Sequence, residues 1–216
     1  MSLKFTGHET FVVRSFWPKK GFDFVSNGGS FNDDNSVVDL GVGKNMVSSI
    51  HFWMKALGLI HTEELTTTTI ANELFGENGY DPLLEDIGTI WLLHYNLVKA
   101  NFASIYNLVF NEFRKERSIF SKDHLSSFIR RKYSELEENS FNPKSIDKDI
   151  SVFTRLYRKL NYSTISKNFE DEISSLMLEL ELLPSSIEET LQEGTQKIEK
   201  NRVVLSSGKT ENKFTY

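Results

Sequence analysis

The chain has 216 residues, 39% of them apolar and 17 of them Phe, which is core material for one domain of ordinary size or two small ones and excludes disorder over most of the length. It has no Cys, which removes disulfides, thiolate zinc sites and cysteine nucleophiles and fits a reducing compartment. The net charge of −5 is uneven: residues 61–113 hold one basic and eight acidic side chains and residues 114–160 hold twelve and seven, so the latter segment is compatible with DNA contact once screening over about 8 Å is considered.

No apolar run approaches the roughly 18 residues that span a bilayer. Met1-Ser2-Leu3-Lys4-Phe5-Thr6 lacks the apolar stretch of a signal peptide, so a cytoplasmic location is expected. Residues 10–24 mix aromatics with Arg14, Lys19 and Lys20, and Pro18 is expected to break any long helix there. Ser26-Asn27-Gly28-Gly29-Ser30 reads as a loop. Asn32-Asp33-Asp34-Asn35 is a run of helix-capping types, which predicts a short helix through Val37, Val38 and Leu40.

A tight turn at Gly41 then leads into a second helix over 43–56. Met46, Val47, Ile50, Met54 and Leu57 recur at helical spacing on one face, and Gly58 ends the helix. Leu59-Ile60-His61-Thr62 and the β-prone run 66–70 suggest a hairpin. Helix, turn, helix and hairpin is the order of a winged helix. Beyond an acidic connector, Thr89 is expected to cap a helix from Ile90 to about Lys99 that is apolar nearly all round and therefore buried. A further helix over 102–113 turns Ile105, Leu108, Val109 and Phe113 inward.

The basic segment predicts a second helix-turn-helix. Ser121 caps a helix carrying Leu125, Phe128, Ile129 and Tyr133, and Pro143 opens one with the stripe Ile146, Ile150, Phe153, Tyr157 and Leu160. Acidic helix is expected over 170–183, another helix over 187–198, and a terminal hairpin from Val203-Val204-Leu205 and Lys213-Phe214-Thr215-Tyr216. The expected fold is mainly α with small β-hairpins (α+β), with winged-helix-like helix-turn-helix units around a buried helical centre. The expected organisation is a winged-helix-like domain over 1–80, a helical region over 81–165 and a tail over 166–216.

These patterns favour binding over catalysis. A second helix with small and polar residues outside can enter a major groove about 12 Å wide. Lys44, Asn45, Ser48, Ser49 and His51 are expected on that outer face: Asn pairs with adenine, Lys with guanine or phosphate, and Lys55 reaches the backbone. Lys144, Lys148, Arg155 and Arg158 are the further phosphate candidates, because charge neutralisation dominates non-specific affinity. A protein-docking use of the same helix remains open, and an exposed Phe52 would favour it.

Chemistry has weaker signals. Adjacent His8 and Glu9 point in different directions and make a poor ligand pair, and no His-Glu-x-x-His exists. Gly41-Val42-Gly43-Lys44 lacks the order of a phosphate loop, and no Gly-x-Ser-x-Gly elbow occurs. His94 with Asp81, Glu85 and Asp86 is the remaining candidate for a hydrogen-bonded or metal-binding cluster. No cofactor or metal is expected.

The phrases Gly7-His8-Glu9-Thr10-Phe11, Leu40-Gly41-Val42-Gly43-Lys44-Asn45-Met46-Val47, Asp81-Pro82-Leu83-Leu84-Glu85-Asp86, Gly88-Thr89-Ile90-Trp91-Leu92-Leu93-His94-Tyr95 and Ser145-Ile146-Asp147-Lys148-Asp149-Ile150 resemble the bacterial domain-of-unknown-function family numbered 4007. Genes of that family lie near sulfur-transfer proteins in phage-defence or DNA-modification islands. The resemblance implies a role near duplex DNA, with protein partners of such a complex. It supplies no catalytic residues. Its members usually run longer, so a truncated or short C-terminus is expected here.

Overall fold

The computed structural model describes residues 3–136, 142–158, 174–183 and 203–204. They are mostly helical. A short α2 (Ser36–Leu40) and α3 (Lys44–Ala56) follow α1 (Trp17–Ser26), and α4 (Thr69–Phe75) and α5 (Ile87–Ala100) come next. Then α6 (Ser104–Asn107) continues through a π-helical stretch (Leu108–Phe113) into α7 (Arg114–Glu116). The two-residue β1 (Ile119–Phe120), α8 (Lys122–Glu135) and α9 (Pro143–Tyr157) complete the main body, with a 3-10 turn at Leu178–Leu180. Finally, β2 (Val203–Val204) pairs antiparallel with β1.

Several helix boundaries follow from local chemistry. Gly41 adopts φ 61°, turning the chain between α2 and α3. Gly58, at φ 70°, ends α3: its amide bonds the Lys55 carbonyl and the Leu59 amide reaches back to Met54, closing the last turn at low steric cost. Ser121 caps α8, its Oγ accepting from the His124 amide while the His124 ring accepts from the Ser121 amide. Asn142 caps α9 ahead of Pro143, and Ile146, Ile150, Phe153 and Tyr157 are buried. Leu160 lies outside the described residues.

Elsewhere the sequence reading is corrected. No helix runs across Pro18, as expected, but α1 starts there, because the first turn needs no amide from it. The 66–70 run does not form a second strand. Thr68 accepts from the Ala71 amide and donates to the Gly58 carbonyl at 2.8 Å, which starts α4 and leaves an isolated bridge between Ile60 and Thr67. Asp86, not Thr89, caps α5. That helix is buried on one side only: Ile90, Leu93, His94 and Leu97 face the core, while Leu92 and Tyr95 are exposed.

Within 170–183 the described residues are not α-helical. They run as short pairings, Arg14 with Ser175 and Arg158 with Leu183, around the 3-10 turn. The helix expected over 187–198 and the strand over 213–216 lie outside the described residues, and Val203 and Val204 pair with β1 instead.

One apolar cluster joins α1, α3, α5, α6, α8 and α9, and includes Leu176, Met177 and Leu183. A non-helical strap over residues 4–15 threads through it. The strap exchanges backbone and side-chain bonds with Ser104, and the Trp53 indole donates to its Phe11 carbonyl. Its far end bonds Ser174 and Leu176.

Candidate nucleic-acid interface

Helix α3 presents the candidate face near its start. Val47, Ile50, Trp53 and Met54 anchor it from below, while Lys44, Asn45 and Ser48 are exposed. No acid occupies its first turn, so the positive end of the helix dipole adds to Lys44. Ser48 partly satisfies itself by donating to the Lys44 carbonyl at 3.4 Å. Lys55 is half-buried one to two turns further on.

Two residues expected on that face are turned away from it. Ser49 has no exposed surface and donates to the His8 carbonyl at 3.0 Å. The buried arc of α3 is wider than its apolar residues suggested, because the strap packs against Ser49 and Phe52 as well. Phe52 is accordingly buried, not exposed. His51 is half-buried with its ring stacked 4.6 Å from Phe31. Burial, with a smaller push from Lys55, lowers its pKa to about 4, so it carries no cation to a phosphate at neutral pH.

On α9, Lys144 and Lys148 are exposed, and among the described residues no ion pair involves either. Arg155 is half-buried and donates to the Thr10 carbonyl, and Arg158 is half-buried at the bridge to Leu183. Arg155 thus serves the strap side of the helix rather than an open surface. Much of the remaining basic charge of this region is spent locally. Arg131 pairs with Glu116 and Glu135, Lys132 with Glu112 and Glu135, and Lys122 with Asp147.

The arrangement that the sequence reading missed is the junction of these two helices. The His8 Nδ1 accepts from the Thr10 amide at 3.1 Å, so its Nε2 carries the proton and donates to Asp149 at 3.0 Å. The Thr6 amide donates to both Asp149 oxygens at 3.0 Å. Thus one residue of the strap bonds α3 through its carbonyl and α9 through its ring. The backbone around it is unusual: Thr6, Glu9 and Thr10 have φ of 69°, 47° and 68°. Such values are rare for threonine and persist only where surrounding bonds over-determine them. Gly7, at φ 102°, is also confined sterically, since a Cβ there would meet the Phe52 ring at 2.7 Å.

His94 does not meet the acidic connector. Its Nδ1 contacts the Tyr157 hydroxyl at 2.9 Å, and Trp91, Phe110 and Tyr157 surround its ring. Asp81 instead accepts from the Glu85 and Asp86 amides. Burial pushes the Tyr157 hydroxyl well above its ordinary range, so it stays protonated beside the imidazole. Burial also lowers the His94 pKa to about 4 from an ordinary 6.5.

This makes stability depend on pH. The folded state binds the His94 proton less readily than the unfolded state. The contribution is therefore complete above about pH 6.5 and is lost as pH falls toward about 4. Its full size is of the order of 3 kcal/mol. Urea titrations at several pH values are expected to show that decline, and His94→Gln to make it shallower, with His51 supplying part of what remains. An equally steep profile in the variant would assign the decline to other groups.

No curated protein matches the chain. Among solved structures, a magnesium ion-bound crystal structure of SspB superposes with a TM-score of 0.74 at 28% identity, over 95% of this chain and 60% of that one. A second SspB crystal structure gives 0.74 at 26% identity with the same coverage. The chain thus spans about 60% of the length of these neighbours. Among the described residues no three His, Asp or Glu side chains converge as a metal site, so no ion is assigned to them. A family model matches residues 5–205, nearly the whole length, and the chain belongs to that family, DUF4007, described as proteins of unknown function.

Proposed function

We propose that this chain is a DNA-binding accessory or regulatory protein of a bacterial DNA-modification or phage-defence system. It contacts duplex DNA through a helix-turn-helix of the winged-helix type, made by α2, the Gly41 turn and α3. The observation that carries this reading is the exposed trio Lys44, Asn45 and Ser48 on the first turns of a helix rigidly anchored from below. Recognition helices contact base edges with those same turns. Lys44 and Lys55 serve phosphate, Asn45 serves a base edge, and Lys144 and Lys148 on α9 add backbone contacts. The isolated Ile60–Thr67 bridge takes the place of the wing.

The test is an anisotropy isotherm on random duplex DNA at two ionic strengths. If four lysines each neutralise a phosphate, the log–log salt slope is about −3.6, and affinity falls by about two orders of magnitude between 50 and 200 mM salt. Binding that is absent, or insensitive to salt, overturns the reading. A second reading is a protein-interaction subunit that touches no DNA. It is favoured by Phe16 and Leu83, which are 70% and 58% exposed and line a common cleft beside α1 and α2.

A further inference from the structure

A cleft of about 490 Å³ opens beside the strap, lined from α3 by Phe52 and from α9 by Ser145. Its walls are the rings of Phe5, Phe52, Phe102 and Tyr133, and its polar edge is formed by Lys4 and Ser145. The rings form two pairs: Phe5 stacks on Tyr133 at 5.7 Å, and Phe52 tilts against Phe102 at 5.4 Å. Phe5 and Phe102 are only half-buried, so each keeps ring surface turned to the opening. The Lys4 ammonium lies 5.8 Å from the centre of the Phe102 ring. Lys148, three residues after Ser145, follows on the same side of α9 and is exposed.

An aromatic slot with a cationic rim matches a planar, π-faced ligand attached to an anion. A peptide side chain would meet the rings but leave Lys4 and Lys148 without a partner. A stacked base pair offers its edge rather than its face. An unstacked base offers its face to the rings while its phosphates meet the lysines, the combination by which single strands are held. We propose that this cleft takes one unstacked base of a single DNA strand, with the flanking phosphates on Lys4 and Lys148. The inference rests on the reading of α9 as a nucleic-acid surface. Asp149 shapes the slot, because its two oxygens accept from the Thr6 amide and fix the Thr6–Gly7 backbone that forms one side.

The test uses the full chain and three labelled probes in anisotropy: oligothymidylate, an abasic strand of equal length and charge, and random duplex. The base-bearing strand is expected to bind about tenfold more tightly than the abasic one. Phe102→Leu should erase that preference and keep duplex affinity. Lys4→Glu, a change on the exposed rim that does not threaten folding, should weaken the base-bearing strand several-fold. Equal affinity for the base-bearing and abasic strands, or no effect of Lys4→Glu, overturns the cleft assignment. Duplex binding without base preference defeats the cleft alone. Base preference without duplex binding supports the cleft and defeats the duplex reading, and absence of all binding defeats both.

Discussion

Asp149→Ala is expected to lower the unfolding free energy by about 3–5 kcal/mol, because it strips a buried acceptor from the Thr6 amide and the His8 imidazole together. For a domain of this size that corresponds to a fall in Tm of roughly 10 °C, read by circular dichroism. Asp149→Asn keeps the shape and one acceptor oxygen and should lose less. A double-mutant cycle with His8→Ala isolates the contact: the coupling should exceed about 1 kcal/mol, since the two side chains touch and share one network. An unchanged Tm in Asp149→Ala would show that the strap is held without this carboxylate. The two helices named for DNA contact meet through His8, so the same variant should also weaken duplex binding near its lowered Tm.

Lys44→Glu combined with Lys55→Glu is expected to abolish retardation of duplex DNA. Two favourable phosphate contacts are lost and two repulsive ones introduced, a drop on the order of a hundredfold or more at low salt. Lys144→Glu with Lys148→Glu should be milder, reducing the salt slope by about 2 with little change in sequence preference. Asn45→Ala should do the opposite, leaving the slope intact and costing about 1–3 kcal/mol at a preferred site alone. Unaltered salt-sensitive binding by the Lys44 and Lys55 variant would remove α3 from the interface.

How far these residues were legible in the sequence depended on the range of the interaction that placed them. Gly58, Ser121 and Pro143 marked helix ends correctly because a cap acts within one turn. Apolar spacing correctly placed Ile146, Ile150, Phe153 and Tyr157 in the core. It failed at α5, where Leu92 and Tyr95 are apolar yet exposed, since spacing does not say what covers a face. Ser49 was misread, and the partner of His8 went unread, for a related reason. Ser49 bonds a strap with no periodicity of its own, and His8 of that strap bonds a distant helix. One signal was available: Asp149 sits three residues after Ile146 and four before Phe153, an acid on the apolar side of its helix. Such a group needs a buried partner, and the only question was which. His8 is 141 residues away, beyond any local pattern.

That separation bears on how the molecule is made. The turn containing His8 leaves the ribosome 141 residues ahead of its acceptor, which follows about 7–28 s later at ordinary elongation rates of 5–20 residues per second. Until then the left-handed Thr6 lacks its acceptor, and α3 is without the bond from Ser49 to a settled carbonyl. Chains stalled before Asp149 therefore lack the closing knot of the whole body. The strap is therefore translated well before the helix that fixes it.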